Sequence, residues 1–163
     1  MRIVEYETPL VIDMALDKTD MAIIDALCKD ARLSQRQLAN VVGVAQGTIT
    51  NRIKRLESEG VITGYTLNLD PSSLGWEMTV MAGLCIEKGR IMDVQQKISA
   101  DNRVFAVYDV TGDWDSMVLA RVKDREDLDN LTKTVFTADG ITRSYTHVVL
   151  NTVKESGVVL PKE

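Results

Sequence analysis

Near Gly60 the apolar residues of this 163-residue chain change their spacing, and one kind of secondary structure cannot accommodate both sides of the change. Before it they recur every three or four residues, as in Ile23, Ile24, Leu27 and Cys28 and again in Ile49, Ile53 and Leu56. That is the repeat of helices with one buried face. After it, Val61, Ile62, Tyr65, Leu67 and Leu69 read as an extended segment that ends at Asp70-Pro71 and Ser72-Ser73. The chain is therefore expected to be α+β, with a helical domain preceding a mixed one.

The helical domain is expected over residues 16–64. Asp17, with Asp20 three residues on, suits the N-cap of a first helix that stops near Asp30. Ser34 and Gln37 form a Ser-x-x-Gln capping box for a second helix, which turns Leu38, Ala39 and Val42 inward. Gly43 supplies a tight turn, and a third helix ends near Gly60. The result is helix, glycine turn, helix. Residues 65–75 read as a hinge. Beyond it, Met78 to Ile86 is strand-like, Ile91 to Ile98 helical, Val104 to Val110 and Ser116 to Val122 strand-like. Leu128, Leu131 and Val135 follow at helical spacing, and Thr142 to Val153 is a last strand. Residues 76–155 thus read βαββαβ, a ferredoxin-like split sandwich. Residues 156–163 form a tail, and residues 1–15 an extension in which Ile3, Val4 and Tyr6 could make a strand, while Pro9 and its acidic neighbours argue equally for a loose arm.

Composition excludes several classes of function. The longest apolar run, Val80 to Ile86, is far shorter than the roughly 18 residues of a membrane span. No apolar leader segment follows Arg2, so a cytoplasmic protein is expected. Cys28 and Cys85 are too few for a disulfide framework or a four-ligand zinc site, and both are expected as buried thiols. With one histidine, His147, no metal centre or nucleophilic triad has its ligands or base, and no glycine-rich phosphate loop occurs. No cofactor is expected. The net charge is −5, yet residues 16–64 hold 7 basic against 6 acidic residues, so the acidity lies elsewhere.

The third helix carries the functional pattern. With Ile49, Ile53 and Leu56 inward, helical geometry places Gln46, Thr50 and Lys54 on one outward row and Gly47, Asn51 and Arg55 on the next. Hydrogen-bonding residues come first and cations follow, as in a helix whose N-terminal residues reach base edges while cations hold phosphates. Gln46, Thr48, Thr50 and Asn51 are candidate base or sugar contacts, and Gly47 permits close backbone approach. Arg36, Arg52, Lys54 and Arg55 are candidate phosphate anchors, although Arg52 could be held by Glu57 or Asp20. The alternative is a solvated amphipathic helix with an Arg55–Glu59 ion pair.

Over residues 16–155 the chain resembles the Lrp/AsnC (feast/famine) transcriptional regulators. The matching pieces include Ser34-Gln35-Arg36-Gln37-Leu38-Ala39, Arg52-Ile53-Lys54-Arg55-Leu56-Glu57, Gly60-Val61-Ile62, Gly112-Asp113-Trp114-Asp115 and Val148-Val149-Leu150. The resemblance implies a winged-type helix-turn-helix domain that binds double-stranded promoter DNA, followed by an effector-binding βαββαβ domain of the RAM/AsnC type. It also implies a homodimer that assembles to a tetramer or octamer and responds to an amino acid or related small effector. By position, Gly112, Asp113, Trp114 and Asp115, with Thr146 and His147, are the effector-site candidates. Physically, the aspartates can accept an α-ammonium group, or can merely cap a tight hairpin. Ala45 stands where the family usually has a capping serine. Ser116 replaces a common aromatic or large apolar residue, which should enlarge or polarise the effector pocket. Two other functions share this architecture: a sirohaem decarboxylase-like enzyme, disfavoured by the single histidine, and an architectural DNA-binding protein without effector response.

Overall fold

A computed structural model describes residues 16–158, 160 and 161, so the expected strand at Ile3, Val4 and Tyr6 lies outside the described residues. Three helices come first: α1 (Lys18–Lys29), α2 (Gln35–Val42) and α3 (Gln46–Ser58). A 3₁₀ turn at Ser72–Leu74 precedes β1 (Met78–Ile86), α4 (Ile91–Ser99), β2 (Val104–Asp109), β3 (Ser116–Val122), α5 (Arg125–Thr134) and β4 (Ile141–Val148). The chain divides into two compact units, the second spanning Asn68–Glu155, so the expected hinge is shared between them. Among the described residues no helix is long and apolar enough to cross a membrane.

Local chemistry sets the helices of the first unit. Asp17 accepts hydrogen bonds from the Thr19 and Asp20 amides, and the Asp20 carboxylate accepts one from the Asp17 amide. Ser34 and Gln37 bond reciprocally in the same way at the start of α2. Gly43 ends α2 at φ 77°, a left-handed conformation that costs a glycine little. Ala45 begins α3 with no side-chain cap. Behind these ends Ile23, Ala26, Leu38, Ala39, Ile49, Ile53 and Leu56 form one buried cluster. Cys28 is exposed, contrary to expectation, because it lies off the stripe through Ile23 and Ala26.

Asp20 occupies a core position on that stripe, with its side chain 1% exposed. Its carboxylate accepts from Arg52 Nη1 at 2.9 Å and from Arg55 Nη2, both on α3. Arg52 also donates to Asp17 at 2.6 Å. A carboxylate is buried at tolerable cost only when opposite charges and hydrogen bonds surround it. Here two guanidiniums and the capping bond do so, and they tie α1 to α3.

Residues 63–70 form neither helix nor ladder among the described residues, so the extended run from Val61 to Leu69 is not a paired strand. Ile62 packs on the first core and donates to the Leu56 carbonyl at 3.0 Å.

The second unit is a four-stranded antiparallel sheet in the order β2-β3-β1-β4. This is the expected βαββαβ arrangement. Val80, Ala82, Leu84 and Ile86 of β1 and Val118, Ala120 and Val122 of β3 pack with Val94, Ile98, Leu131 and Phe136. Alternation therefore turns Thr79, Met81, Gly83 and Cys85 to the opposite face. Strand β4 stops at Val148 rather than Val153: Val80 pairs with Val148, the Val149 amide still reaches Thr79, and β1 begins at Met78. Its ladder partner runs out.

Removing the buried carboxylate should be costly. Asp20→Ala is expected to lower the unfolding free energy by about 3 kcal/mol, read from urea denaturation, since it deletes two charge-assisted bonds and half a capping box. The Asp17 carboxyl is held down to about 2, from 3.8, first by its bond to Arg52 and then by the Asp20 amide. A carboxyl depressed on folding stabilises fully above its unfolded value, and that stabilisation is lost as pH falls through the folded one. Asp17→Asn keeps a capping oxygen but cannot titrate. It should flatten the loss of thermal stability between pH of about 4 and about 2 relative to the parent chain.

Candidate nucleic-acid interface and ligand-binding face

On α3, Ile49, Ile53 and Leu56 are buried, and the residues diametrically outward are Gly47, Asn51 and Lys54, all exposed. Gln46 is exposed beside them and Thr48 is half-buried. The Thr50 hydroxyl lies 2.6 Å from Gln35 Oε1 of α2 and 3.1 Å from the Gln46 carbonyl. Thr50 thus joins α3 to α2 as well as bordering the outward row.

The cations divide into two sets. Arg52 and Arg55, expected among the phosphate anchors, have partners inside the unit: both guanidiniums point to α1 and bind Asp20, with Arg52 also on Asp17. Arg55 lies 3.6 Å from Glu59 as well. The buried carboxylate, 32 and 35 residues away in sequence, draws them off the outward face. Arg36 on α2 and Lys54 on α3 are exposed and have no ion-pair partner among the described residues. At Gly47 a methyl group would meet nothing within 4 Å, so packing inside the unit does not require glycine there.

In the second unit, residues 110–115 close the turn between β2 and β3. The Val110 amide donates to the Asp115 carbonyl at 3.2 Å, and the Asp115 amide donates to Leu84 at 2.9 Å. The Asp115 carboxylate accepts from the Ile86 amide at 2.7 Å. Asp115 therefore holds the turn against β1, and one of its oxygens is committed to that task. Asp113 is exposed, and its carbonyl accepts from the Cys85 thiol at 3.6 Å. Gly112 has φ 113°, in the region that favours glycine.

Trp114 lies on the open face of the sheet. A methyl at Gly83 would stand 2.6 Å from the indole, so the ring rests directly on the β1 backbone. Tyr145 is 6.3 Å from Trp114 between ring centroids, and His147 is 4.8 Å from Tyr145. Arg143 stands over the indole, its guanidinium carbon 4.9 Å from the centroid. Of the effector candidates, Gly112, Asp113, Trp114 and Asp115 share the loop, and His147 shares the aromatic face with Trp114. Thr146 does not. It pairs with Ala82, whose side chain is in the core beneath the helices, whereas His147 pairs with Met81 on the open face. Ser116 is likewise on the helix side, buried and accepting a hydrogen bond from Gln95 of α4. Its expected polarising effect on the loop's open face is corrected accordingly.

Gly83, Arg143 and Tyr145 were not among the sequence candidates. The glycine inside the apolar run Val80 to Ile86 was the available sign, since a glycine within a strand marks close approach by another group.

Comparison with known proteins fits this geometry. Residues 16–63 match the model for winged helix-turn-helix DNA-binding domains, and residues 79–159 that for the Lrp/AsnC ligand binding domain. An uncharacterised helix-turn-helix-type transcriptional regulator of Pyrococcus abyssi is 45% identical over 140 residues, covering 86% of this chain and 95% of that protein. The regulator FL11 of Pyrococcus furiosus is 33% identical over 141 residues, 86% of this chain and 93% of its own. Among solved structures, AsnC of E. coli superposes with a TM-score of 0.83 at 23% identity, covering 89% of this chain and 99% of AsnC. A transcriptional regulator of Neisseria meningitidis solved as a complex with L-Met has a TM-score of 0.81 at 23% identity, covering 89% of this chain and 96% of that one.

Proposed function

This chain belongs to the Lrp/AsnC family of DNA-binding transcriptional regulators, and from that premise we propose that it reads specific operator sequences through α3 and answers to an amino acid held by its second unit. The observation that carries the DNA reading is the outward row of α3. Gly47, Asn51 and Lys54 face away from a core that needs none of them, with Gln46 and Thr50 at its edge. Gln46, Asn51 and Thr50 contact base edges or sugars, Gly47 admits the DNA backbone, and Lys54 and Arg36 hold phosphates.

Two such cations per copy supply little affinity, so the functional unit is at least a homodimer reading half-sites about one helical turn apart. Met81, Phe105, Tyr108 and Tyr145 are large exposed apolar residues on the second unit, and a second copy of the same surface is a suitable cover. Tetramers or octamers would arise from such dimers. The effector reading rests on the ordered loop with its exposed Asp113, on the family's ligand-binding domain, and on the L-Met complex of the structural neighbour. The protein acts on chromosomal DNA, in the cytoplasm.

The deciding experiment is fluorescence anisotropy of the full chain on DNA from upstream of its own gene and on scrambled DNA, across a salt series and with amino acids added singly. A regulator discriminates by roughly 10³ or more, whereas an architectural protein binds both DNAs alike. Gly47→Ala is expected to stabilise the folded chain by about 0.5–1 kcal/mol in urea denaturation while weakening operator binding at least tenfold. Equal or tighter DNA binding would show that no close approach occurs at this position. Lys54→Ala should weaken operator and scrambled DNA by a similar factor and reduce the slope of log affinity against log salt by about 1 per copy.

A further inference from the structure

Among the described residues, every guanidinium but two in the second unit is tied to carboxylates. Arg90 pairs with Asp93 and Asp139, Arg103 with Asp101 and Asp127, and Arg121 with Glu155. Arg125, exposed at the start of α5, has no such pair, and neither does Arg143. Arg143 differs from Arg125 in being held: it is exposed, stands over the Trp114 indole, and has no hydrogen-bond acceptor among the described residues. Its orientation has a visible cause. Gly83 lets the indole rest on the sheet, and the indole offers the guanidinium a flat, electron-rich face. Stacking uses the face of a guanidinium and leaves its edge donors free.

The surroundings specify what those donors can take. Arg143 is the ladder partner of Cys85, and the Cys85 thiol bonds to the carbonyl of Asp113. The unpaired cation thus stands at the strand position whose thiol reaches the backbone of Asp113, the exposed acidic residue next to Trp114 in the loop, whereas Asp115 is already spent on the Ile86 amide. A planar, bidentate anion is the natural partner for a guanidinium whose donors are unpaired. The neighbouring Asp113 disfavours a second anionic group on the ligand and favours a cationic one. A carboxylate and an ammonium on adjacent atoms meet both demands.

We propose that Arg143, positioned by the Trp114 indole on Gly83, binds the carboxylate of the α-amino-acid effector, and that Asp113 receives its ammonium group. This rests on the reading that the loop and the aromatic face form the effector site. Arg143 is then the specificity-determining residue for the acid end of the ligand, and Trp114 a positioning residue rather than a contact.

The test uses the full chain and the twenty L-amino acids, screened by thermal shift and then by calorimetric titration of the one that shifts most. Three measurements follow on that amino acid: binding to Arg143→Gln, binding to Arg143→Lys, and binding of its carboxamide to the parent chain and to Arg143→Gln. The expected result is a loss of at least about tenfold for Arg143→Gln, partial recovery in Arg143→Lys, and a similar loss for the carboxamide on the parent chain. On Arg143→Gln the carboxamide should cost nothing further, because the interaction is already gone. If Arg143→Gln binds the amino acid as tightly as the parent, or the carboxamide loses equally on both chains, the assignment to Arg143 is overturned while the effector reading stands. If none of the twenty shifts the parent chain, the effector reading falls and this proposal falls with it. Should Arg143→Gln fail to fold, Arg143→Lys and the carboxamide on the parent chain still decide the matter: undiminished binding in both overturns it.

Discussion

A single buried carboxylate organises the first unit. Asp20 sits where helix periodicity calls for an apolar residue, and two arginines from α3 reach across to it. The recognition helix has no side-chain cap at Ala45, so its first turn is not fixed by the usual hydrogen bond. Its placement depends on apolar packing and on this ionic clamp, which acts through Arg52 and Arg55 in the middle and C-terminal half of the helix. Because a buried charge is expensive when unpaired, the clamp tolerates little slack. The same contact selects which cations face outward. Arg52 and Arg55 are used internally, and Lys54, between them in sequence, points the other way.

That division could not be read from the sequence in full. Capping is a local code, so Asp17 with Asp20 and Ser34 with Gln37 were legible from spacing alone. Strand β3 and the bounds of β1 were equally legible, because alternation and turn residues mark them. The partners of Arg52 and Arg55 lie more than thirty residues away, and spacing within a helix carries no information on them. Asp20 and Cys28 show the same limit from another side. Periodicity sorts positions by hydropathy, so it favoured a cysteine for the interior and missed an aspartate whose burial is made tolerable by distant charges. Thr146 and His147 are adjacent in sequence and so were grouped, yet strand alternation sends them to opposite faces.

In the second unit the sheet separates two kinds of work. One face is closed by α4 and α5 over an aliphatic core. The other carries Met81, Trp114, Tyr145 and His147, and its geometry turns on the missing side chain at Gly83. The turn that presents Trp114 is fastened to β1 by the Asp115 amide and carboxylate, so the loop's geometry is set by the protein's own hydrogen bonds. A preformed site spends little binding energy on ordering itself. On the function proposed above, a ligand bound there would act only by preferring one arrangement of subunits over another, since equal affinity for two arrangements shifts nothing.

Charge explains why assembly is the quantity worth controlling. Of the seven cations in residues 16–64, four are ion-paired within the unit: Lys29, Arg32, Arg52 and Arg55. Only Arg36 and Lys54 lie on the exposed surface of α2 and α3 without such a partner among the described residues. Each phosphate neutralised contributes a counterion-release slope of about 0.9 in log affinity against log salt, so one copy gains little from the DNA backbone. The remainder of the chain is acidic and opposes nonspecific adhesion. In the proposed homo-oligomer, affinity would come from several copies of α3 engaging together, where the second contact is made at high effective concentration. In such a protein a small change in how copies associate is multiplied at the DNA. On the function proposed above, a ligand held on the apolar face of the second unit would govern DNA binding by changing how copies associate.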